Sequence, residues 1–230
     1  MIRPGSIDLL IFDLDGTLID SKQDLANAVN AARRHMGLAP IEDERVYSYV
    51  GNGAPTLIRR AMGPEASEET VQAALDFFLA YYKDHMLDHT ALYPGVREAL
   101  DAFLAGGLKM SVLTNKPVRF SQLLVEGLGL GGHFFRVYGG NSFEQKKPDP
   151  TGVYKLLEEA GAKAGRALMV GDSDVDILTA RNAGILACGV TYGFQPETLS
   201  AAPPDILVND LRQLAAMLLG GSATEQARKA

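Results

Sequence analysis

Short, almost uninterrupted apolar runs recur along the chain, and each stops abruptly at polar or glycine residues. Ile7–Phe12 (IDLLIF) is the first. Lys109–Leu113 (KMSVL), Phe134–Tyr138 (FFRVY), Ala167–Val170 (ALMV) and Ile185–Val190 (ILACGV) follow, with Asp205–Val208 (DILV) a weaker last case. Runs of this length without alternation predict strands buried on both faces. Between them the apolar spacing changes to that of helices. Val96, Leu100, Phe103 and Leu104 follow i, i+4, i+7, i+8; Val153, Leu156, Leu157 and Ala160 follow i, i+3, i+4, i+7. Strand and helix in alternation predict an α/β core with a doubly wound parallel sheet, Rossmann-like in layout.

The stretch from Ser21 to about Leu92 breaks this alternation. It shows no convincing strand. Ser21–Met36 predicts a helix with Ser21 as its cap, and Val71, Leu75, Phe78 and Leu79 mark a second amphipathic face. The expected organisation is a core of residues 1–20 and 93–230 with an all-helical insert at 21–92, joined by two short linkers that permit hinging. Gly220–Ala230 (GGSATEQARKA) reads as a polar, frayed tail.

Composition narrows the function classes. Apolar residues make up 47% of the 230 residues and charged residues 22%, which excludes global disorder. A net charge of −6 gives no general attraction to nucleic acid or anionic lipid, so neither is an expected partner. Cys188 is the single cysteine and fits an apolar strand; no internal disulfide is possible. No apolar run approaches the length of a membrane span, and the opening segment lacks a signal-peptide pattern, so the expected location is the cytoplasm.

The candidate chemistry sits where the strands end, which is where open parallel sheets bind ligands. Asp13-Leu14-Asp15-Gly16-Thr17 follows the first strand. An Asx-turn accounts for one of its aspartates but not for the set. Gly171-Asp172-Ser173-Asp174-Val175-Asp176 follows ALMV and adds carboxylates to the same edge. Gathered carboxylates repel unless a hard cation holds them, and Mg²⁺ prefers such oxygen ligands. Helix capping by Asp172 or Ser173 is compatible with this; for Asp174, capping is the better explanation. Thr114-Asn115-Lys116 ends KMSVL and offers a hydroxyl and backbone amides to an anion, or a simple cap. Lys147, stiffened by Pro148, supplies a point charge for phosphate; Lys146 is the alternative. In the insert, Gly51-Asn52-Gly53 would let backbone amides approach a small ligand. Arg59, with Arg60 beside it, could meet a carboxylate; a helix–helix turn with solvated arginines explains the same residues. GLGLGG at 127–132 reads as a helix stop, and His85 and His89 as a solvated helix end rather than metal ligands.

Together DLDGTLIDS, LTNKP, KKPDP and GDSDVD resemble the four motifs of the haloacid dehalogenase superfamily, in order and at strand ends. The resemblance covers residues 7–20 and 93 to about 219, and the helical insert is similar to that family's first type of cap. It implies a phosphomonoester hydrolase in which Asp13 is the nucleophile, forming an aspartyl-phosphate, and Asp15 the general acid and base. Thr114 and the Asn115 amide would hold phosphate oxygens beside Lys147. Mg²⁺ would take Asp13, the Asp15 backbone carbonyl and Asp172, with Asp176 orienting a metal-bound water or Lys147. The G-N-G loop, with DGTLIDS and TNKP, is similar to the phosphoglycolate phosphatase branch, which implies hydrolysis of 2-phosphoglycolate to glycolate and phosphate; the chain is expected as a monomer or homodimer. The rivals within enzymes are a sugar phosphomutase using the same aspartates and a phosphatase of another small substrate, such as a nucleotide, sugar phosphate or pyrophosphate. A binding module sensing a phosphorylated metabolite is the rival outside them, and it requires a damaged site.

Overall fold

The structure, a computed structural model, describes residues 3–220. Most of the tail expected to fray therefore lies outside the described residues. Six strands form one parallel sheet: β1 (Leu9–Phe12), β4 (Lys109–Leu113), β5 (Arg136–Tyr138), β6 (Ala167–Gly171), β7 (Leu186–Val190) and β8 (Ile206–Val208), in the order β5-β4-β1-β6-β7-β8. β1 lies at the centre, with Phe12 opposite Val112 on one side and Val170 on the other.

The run LLIF is apolar throughout because both faces of β1 are covered. Leu10 and Phe12 enter one apolar cluster; Leu9 and Ile11 enter the other. β6 divides the same way, with Leu168 and Val170 on the first side and Ala167 and Met169 on the second. The first side is closed by α5 (Val96–Ala105), α6 (Val118–Gly127) and α9 (Leu211–Leu219), through Leu100, Phe103, Leu124 and Leu214. The second is closed by α7 (Thr151–Ala160) and α8 (Asp174–Ala183), through Val153, Leu156 and Ile177. Each fully buried aliphatic or aromatic side chain contributes about 1.5–3 kcal/mol, so the sheet is a rigid platform for the residues that follow its strands.

Four helices lie between the first strand and the rest: α1 (Lys22–His35), α2 (Asp43–Tyr47), α3 (Ala54–Met62) and α4 (Glu68–His85). α4 buries Val71, Ala74, Phe78 and Tyr82, one face at helical spacing, and Ser67 caps it by accepting from the Thr70 amide at 3.1 Å. These side chains belong to the same apolar cluster as Phe12, so the helical unit and the sheet share a core. Among the described residues no helix is long and apolar enough to cross a membrane.

Two local expectations are corrected. Ala91–Leu92 forms a two-residue strand, β3, antiparallel to β2 (Ile19–Asp20), within a stretch expected to contain no strand. Two residues are too few to show alternation. Ser21 precedes α1 but makes no capping hydrogen bond; its hydroxyl donates to Asp15 instead. The linkers are further joined through Asp24 of α1, a buried carboxylate that accepts from the backbone amides of His89 and Thr90 and from the Thr90 hydroxyl.

Candidate active site

The central strands deliver their following residues to one point. Asp13 continues the ladder one step past β1, its amide donating to the Val170 carbonyl at 2.9 Å. The chain then turns sharply, and the amides of Thr17, Leu18 and Ile19 all donate to the Leu14 carbonyl. Gly16 takes a φ of +81° in this turn, and a Cβ there would collide with the Asp172 carboxylate. Glycine is therefore required twice over, by conformation and by closeness. Asp172 follows β6 and is held by the Phe194 amide at 2.7 Å and the Gln195 amide at 3.3 Å.

Asp13, Asp172 and Asp176 each place a carboxylate oxygen within 4.8 Å of the others. Asp176 accepts from the Ser173 hydroxyl at 2.9 Å and from the Ser173 amide at 3.2 Å, in a capping box that starts α8. Ser173, not Asp174, is thus the cap, and Asp174 is the first residue of the helix. Lys147 reaches into the group from the loop after β5, 3.0 Å from Asp13 Oδ1 and 2.6 Å from Asp176 Oδ1. Its neighbour Lys146 points elsewhere, donating to the Asn52 carbonyl at 2.5 Å.

One ammonium faces three carboxylates here, in a place shielded from water. Burial pushes the Asp13 carboxyl up to about 6; Lys147 pulls it down and the Asp176 charge pushes it further up. Burial likewise raises Asp172 to about 7, helped by the charges of Asp176 and Asp13. Burial works against the Lys147 ammonium, but Asp13 and Asp176 outweigh it and hold its pKa above the ordinary lysine value. An all-oxygen donor set with surplus negative charge fits a hard divalent cation such as Mg²⁺.

Asp15 lines the same cavity but is not part of this carboxylate group. Its carboxylate accepts from the Ser21 hydroxyl at 2.5 Å and from Lys116 Nζ at 3.0 Å to both oxygens. Thr114 is buried at the end of β4, its Oγ1 accepting from the Lys116 amide at 3.3 Å. Asn115 Nδ2 donates to the carbonyls of Lys147 at 3.1 Å and Gly51 at 2.9 Å.

The loop at 49–54 meets the core through its carbonyls. Besides the bonds from Asn115 and Lys146, Gln195 Nε2 donates to the Val50 carbonyl at 2.9 Å. Gly51 and Gly53 line a cavity of about 60 Å³ between the helical unit and the sheet; Asn52 does not. Asp13, Asp15, Thr114, Asn115 and Asp172 line it too. Arg59 is not brought there. It donates to the Ala66 carbonyl at 2.8 Å and pairs with Glu68, because α3 turns it toward the start of α4.

The sequence points to Ser21 only as a helix cap and to Lys116 only within Thr114-Asn115-Lys116, and it gives Tyr82 and Gln195 no functional role, yet all four stand at this site. Tyr82 lies on the buried face of α4, where spacing alone marks a core position. The one available signal for Lys116 was its place directly after Thr114-Asn115 at a strand end.

A doubly wound α/β fold, with carboxylates gathered at the ends of its central strands beneath a helical unit, defines a class of acid-rich, metal-compatible hydrolytic sites. A family model for haloacid dehalogenase-like hydrolases matches residues 10–190, and the chain belongs to that family. It is 39% identical to a phosphoglycolate phosphatase of Chromobacterium violaceum, over 94% of this chain and 98% of that one. It is 41% identical to a phosphoglycolate phosphatase of Vibrio vulnificus YJ016, over 93% of this chain and 96% of that one. Among solved structures, one described as a predicted phosphoglycolate phosphatase from Haemophilus somnus superposes with a TM-score of 0.86. It has 32% identity, covering 91% of this chain and 96% of the other.

Proposed function

We propose that the chain is a Mg²⁺-dependent phosphomonoester hydrolase that converts 2-phosphoglycolate to glycolate and phosphate through an aspartyl-phosphate. The observation that carries this is Asp13: a half-buried carboxylate 3.0 Å from Lys147, grouped with Asp172, and facing a small cavity. The names of the relatives support the substrate.

Asp13 attacks phosphorus. A carboxylate needs no base to activate it once ionised, and its difficulty is repulsion by the phosphate dianion. Lys147 offsets that repulsion, and Asp176 fixes the lysine's direction through the 2.6 Å ion pair. Mg²⁺, held by Asp13, Asp172 and the Asp15 backbone carbonyl, would supply further charge stabilisation to the transferring phosphoryl group. Thr114 and the Asn115 amide hold phosphate oxygens. Asp15 gives its proton to the leaving alkoxide, then takes one from the water that cleaves the acyl phosphate. Ser21 and Lys116 keep that carboxylate aimed. Residues 21–92 act as a cap over a core of 1–20 and 93–230, with Gly51 and Gly53 in its wall.

Asp13→Asn tests the proposal. With Mg²⁺ present, phosphate release from 2-phosphoglycolate should fall by about 10⁴-fold or more. Normal turnover by this variant, or no phosphate release by the wild type from any small phosphomonoester, would overturn it.

A further inference from the structure

Lys116 is almost completely buried, its side chain 5% exposed, and among the described residues lining the cavity it is the one cation. An ammonium has three N–H donors. Two are taken by the oxygens of Asp15 at 3.0 Å each. The ammonium also lies 4.7 Å from the centroid of the Tyr82 ring, on its face. Tyr82 comes from α4, is 1% exposed, and its hydroxyl has no hydrogen-bond partner among the described residues. A buried hydroxyl left without a partner costs about 1–3 kcal/mol, so a ligand atom that satisfies it is favoured. Around this pair stand Leu25, Leu57, Phe78 and Phe120, which exclude water and strengthen any charge–charge contact.

We propose that Lys116 Nζ and the Tyr82 hydroxyl form the subsite for the substrate's carboxylate, making them the residues that select small phosphate esters carrying a second anionic group next to the ester carbon. This rests on the phosphatase function proposed above. The position sets the length of the substrate. Asp15 must touch the ester oxygen, and Nζ lies 3.0 Å from both oxygens of Asp15, so a group bound by Nζ is close to that oxygen. One carbon between the ester oxygen and a carboxylate spans the gap; a sugar phosphate would have to bury neutral hydroxyls against the apolar wall. Lys116 comes from the loop after β4 and Tyr82 from the helical unit, so the subsite is complete only when the two meet.

The test compares 2-phosphoglycolate with 2-hydroxyethyl phosphate, which replaces the carboxylate by a neutral group of similar size. The readout is the ratio of kcat/KM for the two esters, in saturating Mg²⁺, for wild type, Lys116→Met and Tyr82→Phe. The wild type should prefer the carboxylate. Loss of a hydrogen bond to a charged group corresponds to about 10- to 100-fold, so Lys116→Met should lower the ratio by about that factor. Tyr82→Phe should lower it by about tenfold, with the loss in KM. A ratio unchanged in Lys116→Met, with both esters slowed equally, would mean that Lys116 serves only Asp15 and would overturn the subsite. If Lys116→Met fails to fold, an unchanged ratio in Tyr82→Phe overturns it. A wild type that hydrolyses both esters equally well refutes the subsite and leaves the phosphatase standing. A wild type that hydrolyses neither refutes both.

Discussion

Replacing Lys147 by methionine probes the charge balance at the strand ends most directly. The side chain is only 2% exposed, and methionine nearly matches its length, so the change removes charge and little else. What remains is Asp13, Asp172 and Asp176, with carboxylate oxygens within 4.8 Å and no ammonium among them. Breaking a buried ion pair by deleting one partner costs about 3–5 kcal/mol. For a chain of this size each kcal/mol moves the melting temperature by about 2–4 °C, so the metal-free variant should melt roughly 6–20 °C below the wild type. Every proposed metal ligand survives the change. Saturating Mg²⁺ should therefore raise the variant's Tm by at least as much as the wild type's. Turnover should still fall by about 10²–10³, because among the described residues Lys147 is the cation paired with Asp13. Differential scanning calorimetry in EDTA and in Mg²⁺ measures both thermal terms. A metal-free variant that melts within about 2 °C of the wild type would show that Lys147 does not balance these carboxylates.

Gly16→Ala should disturb the same group from the opposite side. Its φ of +81° costs an alanine about 1–2 kcal/mol, and the new methyl displaces the Asp172 carboxylate. Weaker Mg²⁺ binding by isothermal calorimetry is expected, and wild-type affinity would contradict it. Asp24 governs acid stability at the linkers. Burial raises its pKa, but the hydrogen bonds from His89 and Thr90 outweigh burial and leave it below the ordinary value. A carboxylate of lowered pKa stabilises the fold above its unfolded pKa, and that contribution is lost as pH falls through the folded one. Asp24→Asn should therefore be less stable at neutral pH, and should lose less than the wild type on acidification from about pH 5 to 2. Parallel slopes in urea titrations across that range would refute this.

The parallel sheet was legible because its inner strands are buried on both faces, and LLIF, KMSVL and ALMVG leave little room for another structure; the edge strands β5 and β8 are only partly covered. The positions of Asp13 and Asp172 followed from the same pattern, since a polar residue directly after a buried strand stands at the sheet edge. Local pattern said much less about what each side chain meets. Ser21 has the composition of a cap, yet Asp15, six residues earlier, takes its hydroxyl. Lys116 and Tyr82 come from distant parts of the chain, and only the packing of α4 over the end of β4 makes them neighbours. Arg59 fitted an anion site by type, but α3 directs it at Glu68. The β2–β3 ribbon is too short for any periodicity.

The contacts that seat the loop at 49–54 have a consequence for how such enzymes diversify. Asn115, Lys146 and Gln195 all grasp main-chain oxygens, those of Gly51, Asn52 and Val50. The fastening thus depends on the path of the backbone, including the φ of +82° at Gly53, and not on the identity of most side chains in the loop. Mutations can accumulate on the insert and reshape what it admits while the clasp goes on working, so new preferences can evolve without rebuilding the machinery underneath.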